Sequence, residues 1–379
     1  MMRAGTYKNN LSGDFAYKSF VPADLPPQPS LEYDNELVSE LAAAHSALAK
    51  LQAAGTYIPS LPLFVGMYVR KEALLSSQIE GTQATLDDIL DPHIERNTNQ
   101  DVADVVNYIK ASDWALQRME ELPLCNRLLL ETHAILTEGL RGGEKTPGEF
   151  RRSQNWIGAA GSTIKTASYI PPNPQDMEEA MNRLEKYINQ EGGCDPLVKI
   201  ALIHYQFESI HPFLDGNGRI GRLLVFLFLK SVELLSLPTL YISYFLKRNR
   251  IEYYDRLNEV RLKGNYEQWV KFFLLAIKES AQDATESIDL LAAIHERNLK
   301  LVRGNDSGKG FLERVFLELE KRPITDIGGM AKNLNSTFAT TDKAFKQLTE
   351  LGILKQIGDQ KRNRRFAYKE YLDVLRSDT

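Results

Sequence analysis

Disulfide chemistry is the first thing this chain lacks. Cys125 and Cys194 are its two cysteines, too few for a framework of bridges, and that usage fits a reducing compartment. An excess of one charge sign is missing too. Lys and Arg number 46 against 50 Asp and Glu, a formal net charge of −4, so no global attraction to nucleic acid follows. The longest apolar run, Leu223 to Leu229, is far short of the roughly 20 residues a membrane-spanning helix needs. Met1-Met2-Arg3-Ala4-Gly5-Thr6-Tyr7 is not followed by an apolar core of the signal-peptide kind. The expectation is a cytoplasmic protein without membrane contact. No internal repeat is visible, and 379 residues predict about two or three domains.

What the chain does have is concentrated in His211-Pro212-Phe213-Leu214-Asp215-Gly216-Asn217-Gly218-Arg219-Ile220-Gly221-Arg222. Gly216-Asn217-Gly218 can turn the backbone so that successive N–H groups point into one concavity. A helix starting there adds its positive end, which makes an anion site. Arg219 and Arg222, three apart, project from one helical face beside that anion, and guanidinium forks match phosphate geometry. Asp215 is a hard oxygen ligand suited to a Mg²⁺ that bridges phosphates. His211 is the one group in the string that takes a proton near neutral pH. Gly216, Gly218 and Gly221 also satisfy a dinucleotide fingerprint, but that needs a hydrophobic strand just before them. Pro212 and Asp215 argue for a loop instead. The His-Glu-x-x-His spacing of zinc proteases is absent, so His204 reads as a core or supporting histidine.

The string resembles the signature of the Fic (filamentation induced by cAMP) family, His-x-Phe-x-Asp/Glu-Gly-Asn-Gly-Arg-x-x-Arg, at every specified position. The resemblance implies an enzyme that transfers AMP from ATP to a hydroxyl of a target protein and releases pyrophosphate. Under it, His211 is the general base on an incoming Tyr, Thr or Ser hydroxyl and Asp215 holds Mg²⁺. Asn217, with the amides of Gly216 and Gly218, binds the phosphates, with Arg219 beside them. Arg222 holds the γ-phosphate and so orients the α-phosphate for in-line attack.

A second motif stands upstream, Ser76-Ser77-Gln78-Ile79-Glu80-Gly81. Ser76 and Glu80 are four apart and share a helical face, and Gly81 suits a helix end. A glutamate in a last helical turn opposes the macrodipole by roughly 0.3–1 kcal/mol, and a cationic partner is the simplest compensation. The segment resembles the family's inhibitory motif, Ser/Thr-x-x-x-Glu-Gly/Asn. That implies that Glu80 pairs with Arg222 and withholds it from the γ-phosphate. The same glutamate could instead position water for removing AMP, an alternative that stays open.

Residues 1 to about 30 are polar and predict an extended arm. Helical periodicity begins at Asn35, with Leu37, Leu41, Ala44 and Leu48 on one stripe. It continues through 63–80, 101–120 and 125–140, and again through 174–190, 195–210, 219–235, 250–263 and 266–299. The stretch from Gly142 to Pro174 is rich in Gly, Pro, Ser and Thr, and Ser162–Lys165 with Ser168–Ile170 predicts a small hairpin. By the resemblance this flap, Thr166-Ala167-Ser168-Tyr169, covers the nucleotide and aligns the target's backbone by strand addition. Tyr253 and Tyr254 match a paired-tyrosine position near the nucleotide, although aromatics at helical spacing serve equally as core.

After the polar linker Arg303–Gly310, three helical stretches (Phe311–Lys321, Ile327–Leu334, Phe338–Leu351) precede two strand-like pieces, Ile353–Ile357 and Arg365–Lys369. That order resembles a winged helix. Over 310–379 the basic residues exceed the acidic by 13 − 10 = 3, and Lys361-Arg362-Asn363-Arg364-Arg365 offers a phosphate-contacting patch.

The expected fold class is mainly α, a Fic helical bundle with a β-hairpin flap. The expected divisions are an N-terminal arm and helical region over 1–115, a Fic core over 116–302 and a winged-helix module over 303–379. The expected function is an autoinhibited protein adenylyltransferase using ATP and Mg²⁺ and acting on target proteins and itself. A homodimer and DNA contact through the C-terminal module stay open. So do two alternatives: a DNA-binding regulator with a nucleotide-sensing domain, and a Fic-fold enzyme that removes AMP.

Overall fold

The computed structural model describes residues 3–57, 61–94, 97–139, 146–306, 310–360, 362 and 364–377. Helices dominate, with one small antiparallel sheet near each end of the chain. The first corrects the expected arm. Strands β1 (Gly5–Asn10) and β2 (Tyr17–Pro22) pair from Gly5↔Pro22 to Asn10↔Tyr17. The hairpin forms because Phe20 is fully buried, its ring 6.2 Å from that of Tyr169, while its N–H donates to the Ile170 carbonyl at 2.9 Å. Those partners lie far along the chain.

The bundle comprises α1 (Asn35–Tyr57), α2 (Leu61–Ile79), α3 (Leu86–Leu90), α4 (Gln100–Arg118), α5 (Asn126–Leu136), α6 (Pro174–Asn189), α7 (Pro196–Ile210), α8 (Asn217–Ser231), α9 (Ile242–Arg248), α10 (Arg250–Lys263) and α11 (Tyr266–Asn305). Helix α1 lies along α11 with Leu37, Ala44 and Leu48 buried. Small residues Ala281 and Ala284 on the facing helix are also buried. Lys271 to Asp34 at 2.7 Å and Lys278 to Glu40 at 2.8 Å fix the two helices running in the same direction.

Helix α7 is the axis. Asp195 caps it, accepting from the Leu197 N–H at 2.8 Å, with Pro196 in the first turn. It is buried from Leu197 to Ile210, so its polar members His204, Gln206 and Glu208 are enclosed with its apolar ones. Trp269 of α11 locks it by donating Nε1–H to the Ala201 carbonyl at 2.8 Å.

The expected flap hairpin is reduced to one bridge. Ile157 pairs with Tyr169, and Ser162–Lys165 is turn and coil, not strand. Gly158, Ala159, Ala160 and Gly161 offer little side chain to pack, so the chain turns through 159–166. The start of the expected loop region, 142–145, lies outside the described residues.

At the C-terminal end stand α12 (Phe311–Lys321), β3 (Ile324–Asp326), α13 (Ile327–Asn333), α14 (Phe338–Glu350), β4 (Lys355–Ile357), β5 (Arg365–Ala367) and α15 (Lys369–Arg376). The sheet has three strands in the order β3-β5-β4, one more than the expected pair. The extra strand pairs because Ile324 and Thr325 are buried in this unit, where the Pro323 carbonyl accepts from the Tyr368 N–H at 2.8 Å. Residues 307–309 of the linker, and Lys361 and Asn363 of the basic patch, lie outside the described residues.

Candidate active site

Helix α7 ends on His211, which adopts φ 50°, ψ 61° and donates its N–H to the Phe207 carbonyl at 2.9 Å. A left-handed residue at this position turns the chain sharply off the helix. The chain re-enters helix at Gly216, φ 79°, where a Cβ would come within 3.3 Å of Leu136. Positive φ and this close neighbour together demand glycine.

The corner between is braced from outside the motif. Arg151, fully buried, donates Nε–H to the His211 carbonyl at 2.9 Å and its own N–H to the Pro212 carbonyl at 2.9 Å. Asn155 donates Nδ2–H to the Phe213 carbonyl at 2.9 Å. The His133 ring stacks on Phe213, centroids 3.8 Å apart. Its Nδ1 accepts from the Gly148 N–H at 3.1 Å, so the hydrogen sits on Nε2 and is donated to the Asp215 carbonyl at 3.0 Å. Burial holds this imidazole down to about 4 and keeps it neutral. Sequence reasoning missed all three of these residues, since nothing in their spacing marks them.

Asn217 spends its side chain on the same corner. Its Oδ1 accepts from the Phe213 N–H and its Nδ2 donates to the Phe213 carbonyl, each at 2.8 Å. What it can still offer an anion is its main-chain N–H at the start of α8. Asp215 Oδ1 accepts from the Gly216 N–H at 2.6 Å, and Arg219, buried on the next turn, brings Nη2 to 3.6 Å from it.

Beside this corner a cleft of about 500 Å³ opens, a size suited to a small ligand. Its walls carry Glu80, Ser168, Tyr169, His211, Gly218, Arg222, Tyr253 and Tyr254, all expected from sequence. They also carry Trp156, Glu208, Arg250, Asn258 and Arg261, which were not. Asp215, Gly216, Asn217 and Arg219 stand at the corner beside the cleft, not in its wall, and Thr166 and Ala167 are not in the wall either; the Thr166 hydroxyl accepts from the Thr163 N–H at 2.9 Å and closes a turn. Tyr169 is held by its OH on the Ser209 carbonyl at 2.5 Å, with the Arg261 guanidinium 3.8 Å over its ring.

His211 Nδ1 is shielded from water with no hydrogen-bond partner. Burial, then the guanidiniums of Arg151 and Arg261, hold the ring at about 4, with Glu80 pulling weakly the other way. It is therefore neutral at physiological pH and able to accept a proton. Tyr253 supports the floor: its OH lies 2.9 Å from His204 Nε2, and His204 Nδ1 lies 2.9 Å from the Gly221 carbonyl. The carbonyl can only accept, so His204 carries its hydrogen on Nδ1 and accepts a hydrogen bond from the Tyr253 O–H at Nε2. His204 is fully buried, in keeping with its reading as core.

Arg222 is anchored at three points. Nε donates to Ser76 Oγ at 2.8 Å, and Nη2 donates to the Ser76 carbonyl at 2.9 Å and to Glu80 Oε1 at 2.7 Å. Gly218 explains how close this cluster lies to α8. A Cβ there would stand 2.2 Å from Glu80 Oε1 and 2.8 Å from Arg222 Nη1. Burial works to raise the Glu80 pKa, but Arg222, with Arg219 and His211 behind it, outweighs that and holds the carboxyl below its ordinary range. Behind Arg222 lie two further acids, Glu208 and Glu72, which burial pushes up to about 7. Glu72 accepts from the Ser243 N–H at 3.1 Å, while Glu208 Oε1 has no partner.

Two family models match the chain: the Fic/DOC family over 123–229 and the Fic/DOC family N-terminal over 38–117. The protein adenylyltransferase Fic of Aedes aegypti is 35% identical over 127 residues, 33% of this chain and 22% of the relative. That of Drosophila ananassae is 32% identical over 172 residues, 44% of this chain and 29% of the relative. The match thus spans less than a third of the length of these curated relatives. Among solved structures, a Fic family protein from Desulfovibrio desulfuricans G20 superposes with a TM-score of 0.58 at 20% identity, over 89% of this chain and 97% of its own. A Fic domain containing signaling protein from Bacteroides thetaiotaomicron VPI-5482 gives 0.51 at 18%, over 67% and 97%. At such identity these two likenesses speak to the fold. The two models fall on adjoining blocks that meet at the cleft, so the chain carries a region similar to the Fic/DOC family over 123–229, preceded by one similar to that family's N-terminal part over 38–117.

Proposed function

We propose that this chain is an autoinhibited protein adenylyltransferase that moves AMP from ATP to a hydroxyl of a target protein and of itself. The observation that carries the reading is the Glu80 carboxylate lying on the first turn of α8, against Gly218 and on Arg222. A helix N-terminus with a guanidinium beside it is an anion site, and here the protein's own carboxylate takes it. The names of the curated relatives supply the reaction class.

In the reaction, the target hydroxyl oxygen attacks the α-phosphorus, the bond to the β-phosphate oxygen breaks, and the proton passes to neutral His211. Pyrophosphate leaves. The N–H groups of Asn217 and Gly218 face the phosphates, while that of Gly216 is held by Asp215 Oδ1, and Arg219 and Arg222 offset the phosphate charge. The groups of the Ile157–Tyr169 bridge pair with each other, so a target segment would pair with the main chain that flanks it. The acid–base chemistry of the site fits Mg²⁺. Among the described residues no cluster of three His, Cys, Asp or Glu could cage a metal, and Mg²⁺ is typically held by one or two carboxylates plus substrate phosphates. Asp215, 35% exposed at the corner, is the carboxylate that would hold it. Bound there, the ion would neutralise phosphate charge.

ATP labelled in the α- or γ-phosphate tests the reading. Label retained on protein from the α position alone is the expected result. Retention from γ alone means phosphorylation and overturns it, and so does release of AMP from modified protein without any forward transfer.

A further inference from the structure

The elbow that presents Glu80 is held on two sides. Inside, Arg222 grips Ser76 and Glu80. Outside, the C-terminal unit grips α3, the short helix that follows. Arg365 of β5 donates to Asp91 at 2.6 Å. Arg376 of α15 donates to Asp87 at 2.5 Å through Nη2 and at 3.0 Å through Nε. Asp87 lies in the first turn of α3 and Asp91 is its C-cap, so the two arginines hold the short helix at both ends. Nearby, the Tyr371 ring of α15 lies 5.9 Å from that of Phe64 in α2, both fully buried, and α12 packs along α2.

Helix α3 and the turn that carries Glu80 are tied together. Thr85 and Asp88 close a capping box at the start of α3. Gln78 in the last turn of α2 donates to the Ala84 carbonyl at 2.9 Å, so the turn over 81–85 is pinned to the helix that carries Glu80. The aspartates are not the only ties of the C-terminal unit. Its Leu312, Phe316, Leu348 and Phe366 are buried in a core continuous with that of the bundle. It also has its own seat on α11, where Asn298 donates to Tyr368 OH at 2.7 Å.

We propose that Asp87 and Asp91 are positioning residues for Glu80, and that the C-terminal unit, through Arg376 and Arg365, holds the inhibitory elbow on Arg222. This rests on the adenylyltransferase reading. The pairs are partly exposed, so each shifts the equilibrium by roughly 1.5- to 5-fold and less at high salt. The elbow keeps other ties, Lys247 to Gln78 at 2.6 Å and the Gln83 N–H to Asp101 at 2.8 Å. Loss of the clamp therefore loosens inhibition by degrees.

The test is charge reversal in the full chain. Asp87→Arg with Asp91→Arg should raise AMP transfer at limiting ATP by roughly two- to twentyfold, chiefly through a lower KM for ATP. It should also speed amide hydrogen exchange over residues 76–81. Adding Arg365→Asp and Arg376→Asp should return both readings toward wild type, which a merely structural defect would not do. In a Glu80→Gly background the same reversal should change transfer by less than about twofold, because both act through one contact. Unchanged exchange over 76–81 overturns the proposal, as does activation that persists at full size after Glu80→Gly. If Glu80→Gly alone leaves transfer unchanged, the inhibitory reading fails, and the exchange measurement still decides the clamp.

Discussion

Glu80 Oε1 and Arg222 Nη2 stand 2.7 Å apart, yet the two side chains live in different surroundings. The guanidinium is 1% exposed and the carboxylate 39%. Arg222 is also tied twice to Ser76. Removing the carboxylate therefore leaves a cation that is already oriented, at the mouth of a cleft where a polyanion can meet it.

Glu80→Gly should raise AMP transfer, including transfer onto the protein itself, and tighten ATP binding. If the partly hydrated pair withholds ~2 kcal/mol of productive binding, the gain at limiting ATP is roughly 30-fold. Arg222→Ala added to it should erase the gain. Transfer that stays at the wild-type level in a folded Glu80→Gly protein would sink the inhibitory role.

His211→Ala should lower transfer by ~10²–10⁴, the usual contribution of a positioned general base. ATP affinity should hold within about threefold, because the imidazole acts on the incoming hydroxyl. Near-wild-type turnover in this variant would exclude the role.

Asp215→Ala should also lower transfer, but with a steeper dependence on Mg²⁺, so that raising the metal recovers part of the loss. His211→Ala should show no such recovery. The comparison is a pair of Mg²⁺ titrations at fixed ATP, and curves of equal shape would count against Asp215 as the ligand.

Stability should depend on pH through five buried groups with opposed signs. His133 and His211 are held down to about 4 and His204 to about 3, while an unfolded histidine takes its proton near 6.5. The stabilisation they provide is full above 6.5 and is lost as pH falls, by about 6 kcal/mol for the three together at pH 5. Glu72 and Glu208, held up to about 7, keep protons in the folded state that unfolded carboxyls release, so acidification from 7 toward 4.5 stabilises. Urea midpoints at pH 7.5 and 5.0 should differ modestly in the wild type and more in Glu72→Gln with Glu208→Gln. Equal midpoints in that double variant would contradict the assignment.

Local chemistry was legible in the chain itself. The His211–Arg222 string could be read because its members are neighbours, and glycine conformation with helix-end electrostatics works over a few residues. The stripe of Leu37, Ala44 and Leu48 was legible because helical periodicity is a local property. Glu80 announced the need for a cation by its place at a helix end. By contrast, Phe20 gives no local sign that it lies against Tyr169, and short α9 is too brief for periodicity to mark.

The sequence by itself thus marked most of the long helical segments and gathered the candidate phosphate-binding groups in one string, but not short α3, α9 or α15. Only the tertiary structure decided what each long-range partner is. Arg151, Asn155 and His133 brace the corner from far upstream, Ile157 pairs with Tyr169, and α2 crosses α8 so that Arg222 is the cation Glu80 finds. The reason is physical. Propensity and periodicity act along neighbouring residues, whereas these contacts depend on how whole helices pack, and that is set by the burial of the entire core at once.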